Sequence, residues 1–215
     1  MQFERINLNR RSLLKAVVAA GTASTLGLTA CNRQDVENQP KALLGAMGKD
    51  GLHIPSWSNW SGNQSCEPNE RLVPQNTDDL QQMVKKTRQC IRLVGAGHSF
   101  SPLVPTNESL MSLAYFTGIS HIDREKKQFD VAANTFLASV GELLWKSGLS
   151  LQNMPDINTQ TFGGAIATST HGTGIDYGSM STTVKQLTLI NGLGEEMICS
   201  GETNTDLFHA ARTNI

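Results

Sequence analysis

The chain has 215 residues, with 18 Lys and Arg against 19 Asp and Glu, a formal net charge of −1 and 39% hydrophobic residues. A near-neutral balance without basic clusters argues against nucleic-acid binding. The 4 cysteines show no C-x-x-C spacing, which argues against both a disulfide framework and a zinc site.

In chain order, Asn9-Arg10-Arg11-Ser12-Leu13-Leu14-Lys15, followed by the mildly apolar run from Ala16 to Ala30, reads as a twin-arginine export signal. The alternative is an amphipathic N-terminal helix. The run is too short to span a membrane, which takes about twenty predominantly apolar residues. Leu28-Thr29-Ala30-Cys31 is similar to a bacterial lipoprotein box in which Cys31 becomes lipidated. Residues 1–30 are therefore expected to be a signal peptide, placing the protein in a bacterial periplasm or cell envelope, held to a membrane by lipid on Cys31. Removing them takes Lys and Arg from 18 to 14 and Asp and Glu from 19 to 18, so the net charge moves from −1 to −4. Residues 31–55 are polar, with little to bury, and read as a flexible tether. The folded part is expected over 56–215. Its cysteines, Cys66, Cys90 and Cys199, are odd in number, and the sequence does not choose a pair among them.

Beyond Trp57-Ser58-Asn59-Trp60-Ser61-Gly62-Asn63, strands and helices alternate. Arg71-Leu72-Val73 is a short strand ending at Pro74. Thr77 is expected to cap a helix with Asp78 and Asp79 in its first turn and Lys85, Lys86 and Arg88 at its end, matching the helix dipole. Ile91–Val94 is the next strand, completing a β-α-β unit that delivers Val94-Gly95-Ala96-Gly97-His98-Ser99-Phe100 at its carboxyl end, where open α/β sheets bind ligands. Gly-x-Gly turns the backbone tightly and points N–H groups outward as an anion cradle. A Rossmann fingerprint is excluded because Pro102 opposes the required helix, and a Walker loop because no Gly-Lys-Ser/Thr occurs. Taken alone, Gly-x-Gly-His is an ordinary tight turn with a surface histidine.

Leu110–Leu113 reads as a strand, and residues 119–123 and 128–131 alternate around a charged turn, which predicts a hairpin. His121 is given no role. Phe136, Leu137, Val140, Leu143, Leu144 and Trp145 fall at helical spacing, with Gly148 as the stop. Thr161 is placed to cap a short helix over Gly163–Ser169 whose first N–H groups face phosphate or ribose oxygens. The run continues through Thr168-Ser169-Thr170-His171-Gly172-Thr173-Gly174. Two loops rich in Gly, Ser and Thr suit a dinucleotide better than a lone tight turn does. Residues 184–190 and 197–199 form a second hairpin across Asn191-Gly192-Leu193-Gly194, and a last helix begins near Thr205.

Val94–Phe100 resembles the flavin-attachment loop of the vanillyl-alcohol-oxidase-type (PCMH-type FAD-binding) flavoproteins, and residues 168–174 resemble their second FAD-contacting loop. The sugar-1,4-lactone oxidase and alditol oxidase branch is the most similar, with further likeness at Trp57–Asn63, Gly148-Leu149-Ser150-Leu151-Gln152-Asn153-Met154 and Asp206-Leu207-Phe208-His209-Ala210-Ala211-Arg212. The resemblance implies an α+β fold of two α/β subdomains with FAD between them, the chain stopping before the family's substrate-binding domain. It also implies FAD contacts at Val94, Gly95, Ala96, Gly97, His98, Ser99, Phe100, Asp156, Thr161, Gly164, Thr168, Ser169, Thr170 and His171, and a covalent bond from His98 to the flavin that raises its reduction potential. The expected reaction is oxidation of an alcohol group of a polyol or sugar 1,4-lactone, with dioxygen or another acceptor regenerating the flavin. Catalytic residues on the substrate side are expected beyond this chain, so the chain alone is expected to be inactive or weakly flavinylated. No metal is implied. Pro155, beside the flavin in the family, is compatible with oxidase behaviour. Branches that add a cysteine link to the flavin fit less well, because Pro155-Asp156-Ile157 carries no cysteine. The reading from a different class is a non-catalytic exported lipoprotein that binds FAD or serves as a structural module.

Overall fold

The computed structural model describes residues 54–213. The export signal, Cys31 and the tether up to residue 53 lie outside the described residues. Nine short strands and four α-helices follow in order: β1 (Trp57–Ser58), β2 (Ser65–Cys66), β3 (Glu70–Leu72), α1 (Thr77–Lys86), β4 (Ile91–Val94), β5 (Ser109–Ser112), β6 (Ile119–Asp123), β7 (Gln128–Val131), α2 (Leu137–Lys146), α3 (Phe162–Ala167), β8 (Gln186–Ile190), β9 (Glu196–Ser200) and α4 (Thr205–Ala211), with a 3-10 turn at Met180–Thr183. The mixed content agrees with the α+β expectation.

The first part is a parallel sheet in the order β3-β5-β4. The predicted β-α-β unit is therefore split, because β5 enters between its two strands. Leu110 and Met111 of β5 are both fully buried, as a central strand covered on both faces requires. Helix α1 connects β3 to β4. Its cap is Asn76 and not Thr77: Asn76 is extended, at φ −152° and ψ 177°, and its Oδ1 accepts from the Asp79 N–H at 2.9 Å. Both residue types cap helices, and the one whose backbone is still extended takes the role.

In the second part the hairpin β6–β7 forms over the residues expected, with a register shift between Ile119 and His121. Helix α2 lays Leu137, Val140 and Leu144 against it, a stripe at helical spacing, and Phe162, Ala165 and Met180 complete the core. Phe129 and Phe162 meet edge to face with ring centroids 5.9 Å apart. Phe136, Leu143 and Trp145 of the expected apolar face are exposed instead, because they point off this stripe. Gly148, at φ +75°, ends the helix as expected.

The last hairpin, β8–β9, pairs Ile190 with Glu196. Its turn is closed by Asn191, whose Oδ1 accepts from the N–H groups of Leu193 and Glu195, both at 2.9 Å. Among the described residues no helix is long and apolar enough to cross a membrane.

Candidate functional site

The first loop leaves β4 at Val94 and is held from beneath by the segment 57–64. Asn59 is the centre of this support, 4% exposed. Its Nδ2 shares its two hydrogens among three acceptors, Ser61 Oγ at 3.1 Å, Asn63 Oδ1 at 2.7 Å and the Ser99 carbonyl at 3.0 Å. Its Oδ1 accepts from the Gln64 N–H at 3.1 Å. The Trp60 N–H donates to the Gly97 carbonyl at 3.1 Å, and the side-chain amides of Asn63 and Gln64 each donate to the Phe100 carbonyl at 3.2 Å. The carbonyls of the loop are thus turned toward the protein. Among the described residues, the N–H groups of residues 95–100 donate to no protein acceptor. This is the polarity of an anion cradle: oxygens tied inward and donors free.

Two glycines make the turn feasible. Gly97 sits at φ +69°, in the left-handed region that favours glycine, with Trp57 packed behind it. A β-carbon on Gly95 would fall well inside contact with Thr161 Oγ1. The two glycine-rich loops therefore meet backbone to side chain at this point.

The second loop is arranged differently from the expectation. Thr161, 3% exposed, makes no side-chain cap, and α3 runs over Phe162–Ala167, short of the expected Ser169. The N–H groups of Phe162 and Gly163 donate to the carbonyls of Thr135 at 2.8 Å and Ala133 at 2.7 Å. They do not face a phosphate. The strand-like pairing of Phe136 with Thr161 brings this helix start against the 133–135 segment, whose carbonyls take these two N–H groups. Ser169 is held at φ +53° without being a glycine, a strained backbone of the kind that collects at ligand sites. Thr168 Oγ1 donates to the Gly164 carbonyl at 3.0 Å and lies 3.3 Å from Thr170 Oγ1, which accepts from Gln160 Nε2 at 3.4 Å. Gly164 is exposed beside them. His171 is exposed and its Nδ1 contacts only the carbonyl of its neighbour Gly172, at 2.8 Å. Asp156 is exposed in the loop between α2 and α3 and forms no hydrogen bond among the described residues. Among the described residues, neither Asp156 nor His171 hydrogen-bonds to the first loop.

His98 stands where the loops join. Its ring lies on the Trp60 ring, centroids 5.4 Å apart and planes 31° from parallel, and Phe100 meets Trp60 edge-on. Nε2 of His98 is 2.9 Å from Thr159 Oγ1. Nδ1 is buried and has no partner, as are Asn153 Nδ2 and Gln160 Oε1. Orphaned buried polar atoms are rare and cost about 1–3 kcal/mol each. Two of them, on His98 and on Gln160 next to the Thr161 that meets Gly95, stand at one glycine cradle and fit a polar, planar ligand carrying an anionic group. These residues fit FAD. Among the described residues there is no cluster of side chains that would hold a metal ion.

The sequence pattern did not single out Asn59, Thr159 or Gln160. The Trp57–Asn63 segment carried a family likeness without a role for its asparagine. Thr159 and Gln160 stand immediately before the residue chosen as the cap, and only the folded contacts separate them from it.

A family model described as an FAD binding domain matches residues 68–200. L-gulonolactone oxidase of Scyliorhinus torazame is 31% identical over 162 residues, which is 74% of this chain and 37% of that protein. D-arabinono-1,4-lactone oxidase of Kluyveromyces lactis is 30% identical over 166 residues, 74% of this chain and 32% of that protein. L-gulono-1,4-lactone dehydrogenase of Mycobacterium tuberculosis is 30% identical over 164 residues, 75% of this chain and 38% of that protein. The chain thus spans about a third of the length of the curated relatives it matches.

Proposed function

The chain belongs to the FAD binding domain family, with FAD as its cofactor, and on that premise we propose that it is the flavin-holding part of an oxidoreductase acting on a CH–OH group of a sugar 1,4-lactone or polyol. The observation that carries this reading is the set of free N–H groups at residues 95–100, joined to an unpartnered His98 nitrogen on the same turn. In this reading the first loop holds the diphosphate with its N–H groups, and His98 Nδ1 bonds covalently to the flavin. Thr168, Ser169 and Thr170 offer hydroxyls to the cofactor's polar atoms, and Gly164 lets it approach the backbone. When bound, FAD supplies a hydride acceptor that is later reoxidised by dioxygen or another acceptor. The names of the relatives favour a lactone over an open polyol.

The twin-arginine signal over residues 1–30 and the lipid anchor on Cys31 remain part of the proposal and rest on sequence. Growth with labelled palmitate, compared with a Cys31→Ser variant, tests the anchor. Label on both proteins, or on neither, contradicts it.

The deciding experiment is the mass of the protein isolated from its own cells and measured under denaturing conditions, followed by assay of lactones and alditols with dioxygen and with an artificial acceptor. A flavin-sized adduct lost in His98→Ala, with turnover of a lactone, is the expected result. A flavin-free chain without turnover supports the non-catalytic lipoprotein instead.

A further inference from the structure

Thr159 is a candidate for setting the protonation of the histidine that the proposed function makes the point of flavin attachment. Two observations carry this. Thr159 Oγ1 lies 2.9 Å from Nε2 of His98, across 61 residues of sequence. The other ring nitrogen, Nδ1, is buried and unpartnered. A neutral imidazole carries one proton, and the nitrogen without it holds the nucleophilic lone pair. A threonine hydroxyl accepts as readily as it donates, so the 2.9 Å contact is satisfied in either direction. Only one direction serves bond formation at Nδ1: Nε2–H donates to Thr159 Oγ1, leaving the lone pair on Nδ1.

We propose that Thr159 is a positioning residue for covalent flavinylation, holding His98 as the Nε2–H tautomer by accepting its hydrogen bond while Nδ1 bonds to carbon, after which the Nε2 proton leaves to water. This rests on the covalent reading above and deepens it. In the net step an N–C bond forms between Nδ1 and the methyl carbon at position 8 of the flavin ring. One methyl C–H bond and the imidazole N–H are lost. The two electrons and two protons released pass to dioxygen, giving hydrogen peroxide. Trp60 lies tilted against the ring, with centroids 5.4 Å apart. The arrangement parallels metal-site histidines, where the partner of the second nitrogen fixes the tautomer.

The test is the time course of flavin attachment to the His98 peptide, by mass spectrometry, in protein expressed in its own host and sampled after addition of a flavin precursor to flavin-starved cells. Thr159→Val is expected to slow attachment by roughly 10- to 100-fold while FAD extractable by denaturation is retained. Thr159→Ser, which keeps the hydroxyl, is expected to restore the wild-type rate. Attachment in Thr159→Val at the wild-type rate overturns the inference. Attachment in Thr159→Ser as slow as in Thr159→Val also overturns it, and this arm holds even if the valine variant is unstable. A wild-type peptide that never carries flavin overturns the covalent reading itself, a distinct outcome read before any variant is compared.

Discussion

Thr161 Oγ1 occupies the space in which a β-carbon of Gly95 would stand. The first loop can pack on the second only because residue 95 has no side chain. Gly95→Ala is expected to destabilise the protein by about 1–3 kcal/mol, the usual cost of overpacking, and to weaken FAD retention. Thr161→Ala in the same chain should recover part of the loss, so that the double variant is more stable than the two single effects added together. Denaturant melts of the four proteins check this; strict additivity would mean that the two loops do not press on each other.

Asn59 offers a second test of the cradle. Asn59→Ala removes an amide donor shared among three acceptors, and one accepted bond, at a buried position. A loss of about 1–3 kcal/mol is expected from the partners left unsatisfied, with FAD affinity falling as the Ser99 carbonyl is freed. Asn63→Ala, at an exposed position, should cost less than Asn59→Ala on both scales. Equal effects would place the support elsewhere in the 57–64 segment.

Two neighbours on α2 should respond in opposite ways. Leu144 is fully buried against the second core, and Trp145 is 80% exposed. Leu144→Ala should cost about 2–5 kcal/mol by leaving a cavity. Trp145→Ala should fall within about 0.5 kcal/mol of the parent. A large effect at Trp145 would mean that this face is covered in the working protein.

The turn between β6 and β7 carries a pH-dependent contribution. Asp123 is held below the usual carboxylate range, first by the backbone N–H of Lys126, 2.9 Å from Oδ1, and further by the Lys126 ammonium at 3.6 Å. A depressed carboxylate stabilises the fold above its unfolded pKa and loses that contribution as pH falls through the lowered folded value. Asp123→Asn keeps an acceptor for the backbone bond but lacks the charge. Its melting temperature should sit slightly below the parent's at neutral pH and converge with it in acid, below the ordinary carboxylate range. A constant offset at every pH would assign the effect to shape and not to charge.

What the sequence made legible follows from the range of the contacts. The hairpin β6–β7 was read residue for residue because alternation is a local signal. The glycine loop was placed at the end of β4 for the same reason. Asn76 displaced Thr77 as a cap because adjacent residues of capping type differ only in backbone angle, which composition does not carry. Phe136, Leu143 and Trp145 looked like core because apolar residues near a helical period are not told apart by hydrophobicity alone. The insertion of β5 between β3 and β4 and the capture of the Phe162 and Gly163 N–H groups by residues 135 and 133 are tertiary events. Asn59 and Thr159 escaped notice because their partners lie 40 and 61 residues away in the chain.

Those same separations order the site in time. Translation runs from the amino end, so the segment bearing Asn59 leaves the ribosome first, and the loop it grips follows some 40 residues later. The wall bearing Thr159 is made only after a further 61 residues beyond His98. During synthesis the carbonyls of the cradle can be pinned from below while the opposite side does not yet exist, and a nascent chain at that stage presents an open shelf and not a pocket. Enclosure of any guest must wait for the later segment. A pause placed between the two would lengthen the life of the half-built shelf and its exposure to other chains.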